Sequence, residues 1–290
     1  MSTIRPSQNP YLIDGPALIS FSGGRTSGFM LAKIVEAHGG TLPVDVCVAT
    51  ANTGRELEET LRFIQRCSEF FGVHIQLLEY DPEAEHSTRL VSHNSASRNG
   101  EPFDALIKAR KMLPNPVIRF CTIEMKIRRF DRYCRHWLGW DRWISVVGLR
   151  ADEMHRVDKQ RVRNALGKDR WFTAMPLADA RVTKQDVKAF WERMPFDLEL
   201  DNVNGSTPEG NCDLCFLKSQ ANIRGIMRRR PEVAEWWIRA EANAPGFGTI
   251  RSPEMALFRA DRPSYQEMFN NRFDLFDGTD DEQSDCACTD

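Results

Sequence analysis

Two features of this sequence have the residue types and spacing to do chemistry. The first is a cysteine pair, Cys212 and Cys215, in the run Gly210-Asn-Cys-Asp-Leu-Cys215. Two intervening residues let both sulfurs face one metal, and thiolates suit iron–sulfur clusters and zinc alike. The second is Ser22-Gly-Gly-Arg-Thr-Ser27, which follows an apolar stretch and leads straight into a helical pattern. Glycines at such a corner let the backbone approach a ligand. The N–H groups of the first helical turn then point at an anion, most often a phosphate. The basic residues agree with a polyanionic ligand. Ten of them lie between Lys108 and Arg142 against three acids, on a chain whose net charge is only −2. Most of these fit a solvated helix face. An arginine aimed at a cleft adds a fork that grips phosphate or sulfate with two hydrogen bonds. The six histidines are scattered, and only His155, inside the Arg150–Arg156 loop, is placed to touch a phosphate.

These residues need elements to position them. Ala17–Ser22 reads as a strand and Thr26–Ala37 as a helix stopped by Gly39-Gly40. Val44–Ala51 is a second strand, ending in Asn52-Thr53-Gly54, and Glu56–Phe71 a second helix with Leu57, Leu61, Ile64 and Phe71 at helical spacing. Val73–Tyr80 is a third strand. Strand and helix in alternation mark a parallel sheet with right-handed crossovers. Residues 82–118 break the rhythm and read as a polar substrate loop with a short helix near Asp104–Leu113. Cys121–Leu138 is a basic helix, Trp143–Val147 a further strand and Thr183–Arg193 a helix; helical patterns then follow Cys215 to about Ala242. Cys47 and Cys67 read as small buried hydrophobes and Cys134 as a packing residue.

The bulk numbers bound the function. A length of 290 residues with 41% hydrophobic residues suits one large α/β domain with an appendage. The small net charge gives no global drive toward nucleic acid or membrane, and no apolar run approaches the ~18 residues of a membrane span. The N-terminal MSTIRPSQNP lacks the apolar core of a signal peptide, so a cytoplasmic protein with reduced cysteines is expected.

Beyond composition, the motifs resemble a known family. Ser22-Gly-Gly-Arg-Thr-Ser27 resembles the SGGxDS loop of the adenine nucleotide α-hydrolase (PP-loop) superfamily, with Thr26 in place of the usual Asp. Four further segments resemble, in order, those of its phosphoadenosine phosphosulfate (PAPS) reductase branch. They are Arg119-Phe-Cys-Thr-Ile-Glu-Met-Lys-Ile-Arg128, Gly148-Leu-Arg-Ala-Asp-Glu-Met-His-Arg156, Met175-Pro-Leu-Ala-Asp179 followed by Thr183–Val187, and the Cys212–Cys215 run. The resemblance spans about residues 17 to 220. It implies an α/β, Rossmann-like parallel sheet binding an adenine nucleotide, ATP or PAPS, with magnesium as its companion ion. Ser22, Gly23, Gly24, Arg25, Thr26 and Ser27 would form the phosphate loop, and Asn52, Thr53 and Gly54 the loop after the second strand. Arg128, Gly148 and Arg156 would face the nucleotide. Cys121, Lys126 and Arg150 would be catalytic, and a 4Fe–4S cluster would sit on Cys121, Cys212 and Cys215, with Cys286 or Cys288 as a fourth ligand or with none, leaving an iron open for substrate or sulfide.

The family's nucleophile motif, E-C-G-[LI]-H, does not occur in the sequence. The residues therefore leave two chemistries open. In one, a thiolate reduces a sulfonucleotide. In the other, ATP adenylates a nucleic-acid or small-molecule acceptor, and sulfur from a thiol or sulfur-donor protein replaces the AMP. A reading from another class is a non-catalytic nucleotide- or nucleic-acid-binding module with a structural zinc. The expected organisation is a nucleotide-binding domain over residues 1–200, a helical region with the Cys-x-x-Cys over 201–276, and an acidic Cys-x-Cys tail over 277–290.

Overall fold

The computed structural model describes residues 9–274. Six strands form one sheet in the order β4-β3-β2-β1-β5-β6: β1 (Ala17–Ser20), β2 (Val46–Asn52), β3 (Ile75–Tyr80), β4 (Thr88–Val91), β5 (Trp143–Val146) and β6 (Trp171–Ala174). All neighbours are parallel except β4, which runs antiparallel on the edge. The central strands are apolar almost throughout because both sheet faces are covered. On one face Ala17, Ile19, Val46 and Val48 meet helices α1 (Arg25–Ala37) and α2 (Glu58–Phe71). On the other, Leu18, Ala49 and Leu78 meet Tyr133 and Cys134 of the basic helix. The chain leaves β1 toward β2 on one side and returns to β5 on the other. That reversal opens a crevice at the carboxyl ends of β1 and β5, the place where open α/β sheets take ligands.

Two packing details fix the parts around that crevice. A Cβ on Gly28 would lie 2.6 Å from Cζ2 of Trp191, so only glycine lets α1 seat against the helix Lys184–Trp191. The Trp191 indole N–H then donates to the Arg25 carbonyl at 2.8 Å. The basic helix, residues 120–137, is continuous but not uniform. Its α-helical pieces Phe120–Thr122 and Arg128–Arg132 alternate with π-helical turns at Ile123–Ile127 and Tyr133–Trp137. Such turns insert one extra residue and gather at functional sites.

Three elements depart from the expectation. The stretch 82–118 holds β4 as well as a helix, Glu101–Arg110. The helix Met154–Leu166 and β6 also went unforeseen, and together they complete a β-α-β crossover beyond β5. After the sheet come the helices Gln220–Arg229, Ala234–Asn243 and Tyr265–Asn270. Their Ile223, Ile226, Trp237 and Met268 join the same apolar core that lies under α1 and α2. The acidic tail with Cys286 and Cys288 lies outside the described residues. No helix among the described residues is long and apolar enough to cross a membrane.

Glu241 latches this helical region. Its two carboxylate oxygens accept the backbone N–H groups of Phe258 (3.1 Å) and Tyr265 (2.7 Å). Burial raises its pKa from 4.5 to about 7, against the lowering effect of those two bonds. A raised acid pKa means the folded state holds a proton that the unfolded chain has lost. Its stabilising contribution is complete below pH ~4.5 and fades as pH rises to ~7. Urea unfolding near pH ~5 and pH ~8 is expected to show wild type losing up to about 3 kcal/mol more than Glu241→Gln, which has no proton to lose.

Candidate functional site

The site begins at the corner between β1 and α1. Gly23 has φ +75°, and a Cβ there would lie 2.6 Å from Thr60 Cγ2, so the turn requires glycine. Ser27 Oγ accepts the N–H (3.2 Å) and the hydroxyl (3.1 Å) of Ser22 and donates to the Gly24 carbonyl at 2.9 Å. These bonds tie the loop into a fixed ring. Gly24 caps α1 with no side-chain bond to the helix, and the first turn carries no acid. The first-turn amides therefore keep the positive end of the helix on offer to an anion.

The expected ligands around this corner divide. Arg25 turns inward. Its guanidinium bonds both oxygens of Asp197 (2.8 and 3.0 Å), Thr207 Oγ1 (2.8 Å) and the carbonyls of Leu198 and Leu200, and it is 6% exposed. It anchors the 197–207 loop rather than a phosphate. Asn52 is likewise internal, donating to Glu79 Oε1 and the Ser97 carbonyl while its own oxygen accepts the Gly54 N–H. Arg128 is spent on Glu124 at 2.6 Å, an acid that also holds Arg110. Arg150 and Gly148 reach the corner, and Arg156 is tied to Arg150 through Glu153. Gly148 brings the end of β5 within 3.7 Å of Thr26 Cγ2, measured from a Cβ built on it. Arg150 Nη1 donates to Thr26 Oγ1 at 3.1 Å, so the threonine that replaces the family's Asp serves as an acceptor for this arginine.

Beside the corner a cavity of about 450 Å³ opens between the basic helix and the helix Met154–Leu166. Its floor includes Trp143 and Trp171, stacked with ring centres 5.5 Å apart. Arg119, His155, Arg156, Lys159 and Arg163 line it against one acid, Asp131. An aromatic floor with cationic walls matches a base carrying phosphates. Lys159 and Arg163 were missed from sequence. The signal was their spacing: residues 156, 159 and 163 share one helical face, and this helix buries only Val157.

The second chemical group is the cysteine set. Cys121, Cys212 and Cys215 line one buried cavity of about 10 Å³ with Lys126 and Thr53. Thr53 Oγ1 lies 3.4 Å from Cys212 Sγ. Glu56, held by the Thr53 N–H (2.8 Å) and hydroxyl, has a raised pKa because burial outweighs the charge of Lys126. The Cys212–Cys215 loop is fastened to the loop after β2 by an ion pair between Arg55 and Asp213, both buried, and by the Asp213 N–H on the Arg55 carbonyl at 2.8 Å. The other described cysteines stand apart. Burial pushes the thiols of Cys47, Cys67 and Cys134 up, so they stay protonated packing groups.

Three thiols on one cavity are a donor set for soft metals. The space is another matter. A cavity of about 10 Å³ has room for one water-sized guest, and no group of three or more His, Cys, Asp or Glu among the described residues is arranged to hold a metal ion. As arranged, the trio does not fit a four-iron cluster, and the expected fourth ligands, Cys286 and Cys288, fall outside the described residues.

Comparison with known proteins adds two findings. The family model of the phosphoadenosine phosphosulfate reductase domain matches residues 16–198. That span takes in the corner, Lys126, Arg150 and the large cavity, and ends before Cys212. The chain is also 28% identical over 221 residues to the uncharacterized nin region protein ORF290 of Escherichia phage lambda, covering 71% of this chain and 67% of that protein.

Proposed function

The chain belongs to the phosphoadenosine phosphosulfate reductase family, whose members bind adenine nucleotides, and on that premise we propose that it is an ATP-dependent adenylating enzyme for sulfur transfer. The observation that carries this reading is the large basic cavity beside the uncapped helix end, which no cysteine among the described residues lines. Sulfonucleotide reduction needs a thiolate against the sulfonate sulfur. The three grouped thiols instead line a small neighbouring cavity, and Cys212 and Cys215 are buried.

In the proposed reaction the nucleotide base lies over Trp143 and Trp171 and its phosphates reach the Ser22–Ser27 corner. An acceptor oxygen attacks the α-phosphorus, the bond to the β-phosphate oxygen breaks, and pyrophosphate leaves with the electron pair. The first-turn amides and Arg150 hold the leaving charge in place. A sulfur nucleophile from a donor protein then displaces AMP from the acceptor, which is a nucleic acid or a small molecule. No step needs a cluster.

Nucleotide titration tests the reading. ATP is expected to bind and to quench the fluorescence of Trp143 and Trp171, and PAPS with a thiol reductant is expected to yield no sulfite. Sulfite release would overturn adenylation in favour of reduction. A protein that binds neither nucleotide would leave only the reading as a nucleic-acid-binding module with a structural zinc. Iron and sulfide assays on protein purified without oxygen belong beside this titration. A visible thiolate-to-iron band would mean that the cysteine cavity opens around a cluster.

A further inference from the structure

We infer that Glu153 is an internal ligand of the Arg150–Arg156 pair, exchanged for the incoming phosphate, and that it sets the site's affinity for polyphosphates. The inference rests on the nucleotide reading above and concerns a residue with no part in it so far.

Glu153 occupies the seat that a phosphate would take. Its Oε2 accepts the Arg150 N–H at 3.1 Å and lies 3.3 Å from Arg150 Nη1, while Oε1 accepts from Arg156 Nη1 at 2.5 Å. Arg150 Nη1 also reaches Thr26 Oγ1 at 3.1 Å, which places this carboxylate next to the first turn of α1. Less than a fifth of each of the three side chains is exposed. A phosphate on the first-turn amides brings further negative oxygens toward the same two guanidiniums. The carboxylate and the phosphate cannot both keep them without like-charge repulsion.

The surroundings let the carboxylate leave. Glu153 stands at the N-terminal end of the helix Met154–Leu166, yet its side chain makes no capping bond to that helix. Its release gives up one ion pair of that helix, to Arg156, whose guanidinium the incoming phosphate then takes. Arg150 stays held after the exchange, because Asp152 Oδ1 accepts its Nε at 2.9 Å and Thr26 keeps its own bond. Asp152 is fixed in turn by the Lys184 N–H at 3.3 Å. The guanidinium is therefore preset and only its partner changes. Such an exchange favours ligands with more negative charge, so triphosphate and pyrophosphate gain over a monophosphate.

Glu153→Gln tests the exchange. It keeps an acceptor for the Arg150 N–H and removes the competing charge. ATP and inorganic pyrophosphate are expected to bind the variant about tenfold more tightly than wild type, with a smaller gain for AMP. A merely structural role for Glu153 predicts unchanged or weaker binding, and either result overturns the inference. Thermal unfolding of both proteins shows whether the variant is folded. Glu153→Asp, which keeps the charge on a shorter arm, is expected to stay at or below wild-type affinity. The two readings fail separately. If ATP binds wild type and Glu153→Gln binds it no better, the exchange is wrong and the nucleotide site stands. If the variant gains pyrophosphate but neither protein takes ATP, the exchange stands and the nucleotide reading falls. If neither protein binds any of the three anions, both are wrong.

Discussion

Asp213→Ala is expected to cost about 3–5 kcal/mol of folding stability, the usual penalty for leaving one member of a buried ion pair alone. Asp213 is 2% exposed and serves three partners. One oxygen accepts from Arg55 Nη2, and the other accepts the Trp237 indole N–H and the Leu214 N–H, each at 2.7 Å. Arg55 lies under the Trp236 ring at 5.3 Å and already has one guanidinium nitrogen, Nε, buried without a partner. Removing the carboxylate strands its cation in an apolar setting and leaves an indole N–H unpaired. Chemical denaturation would read the loss. Thiol titration of the native protein would read its consequence, because the Cys212–Cys215 loop hangs on this pair and both thiols should become reactive. The double variant Arg55→Met with Asp213→Leu is expected to recover part of the loss, since no charge remains to be buried. A single-variant cost under about 1 kcal/mol would show that the ion pair fastens nothing.

Arg150→Met is expected to weaken ATP binding about 30-fold while leaving the fold intact. The side chain spans Thr26 on one side and Asp152 with Glu153 on the other, all of them local or at the site. Nothing in the hydrophobic core depends on it. The loss should fall on phosphate: adenosine, which has none, should bind wild type and variant alike. Arg150→Lys keeps the charge but not the fork and is expected to fall between the two. Fluorescence titration of the three proteins with ATP and adenosine decides the matter. Equal ATP affinity in wild type and Arg150→Met would remove Arg150 from the phosphate site.

How much of this was legible follows from where the information sits in the chain. The glycine corner, β1 to β3, α1 and α2 carry their signals locally, as apolar runs, helical spacing and glycine stops. The helix Met154–Leu166 carries no apolar one, because it turns basic residues to a cavity and leaves Met154, Val162 and Leu166 exposed. Its apolar residues do not mark an inner face, so periodicity misleads. β4 and β6 are four residues each and lie at the sheet edges, too short for a pattern to build up. Arg25 shows the same limit at a single side chain. The motif puts it in the phosphate loop, but Asp197, 172 positions away, draws it inward. Cys121 and Cys212 were expected together on the strength of resemblance alone. They line one cavity, and Cys212 is held there by a β-bridge to Glu56, a long-range contact that no local spacing encodes.

The π turn at Ile123–Ile127 has a consequence in the genetic register of the site. Cys121 and Lys126 lie five positions apart and line the same small cavity, while Ile123, Ile127 and Phe130 of the same helix face the large one. On a regular α-helix, positions five apart point about 140° away from each other. The wider turn closes that angle and makes one helix the shared wall of both chambers. The arrangement amounts to one extra residue in an α-helix. Deleting one codon from this turn would let the helix relax to α geometry and turn Lys126 away from Cys121, with every chemical group of the site still present in the chain.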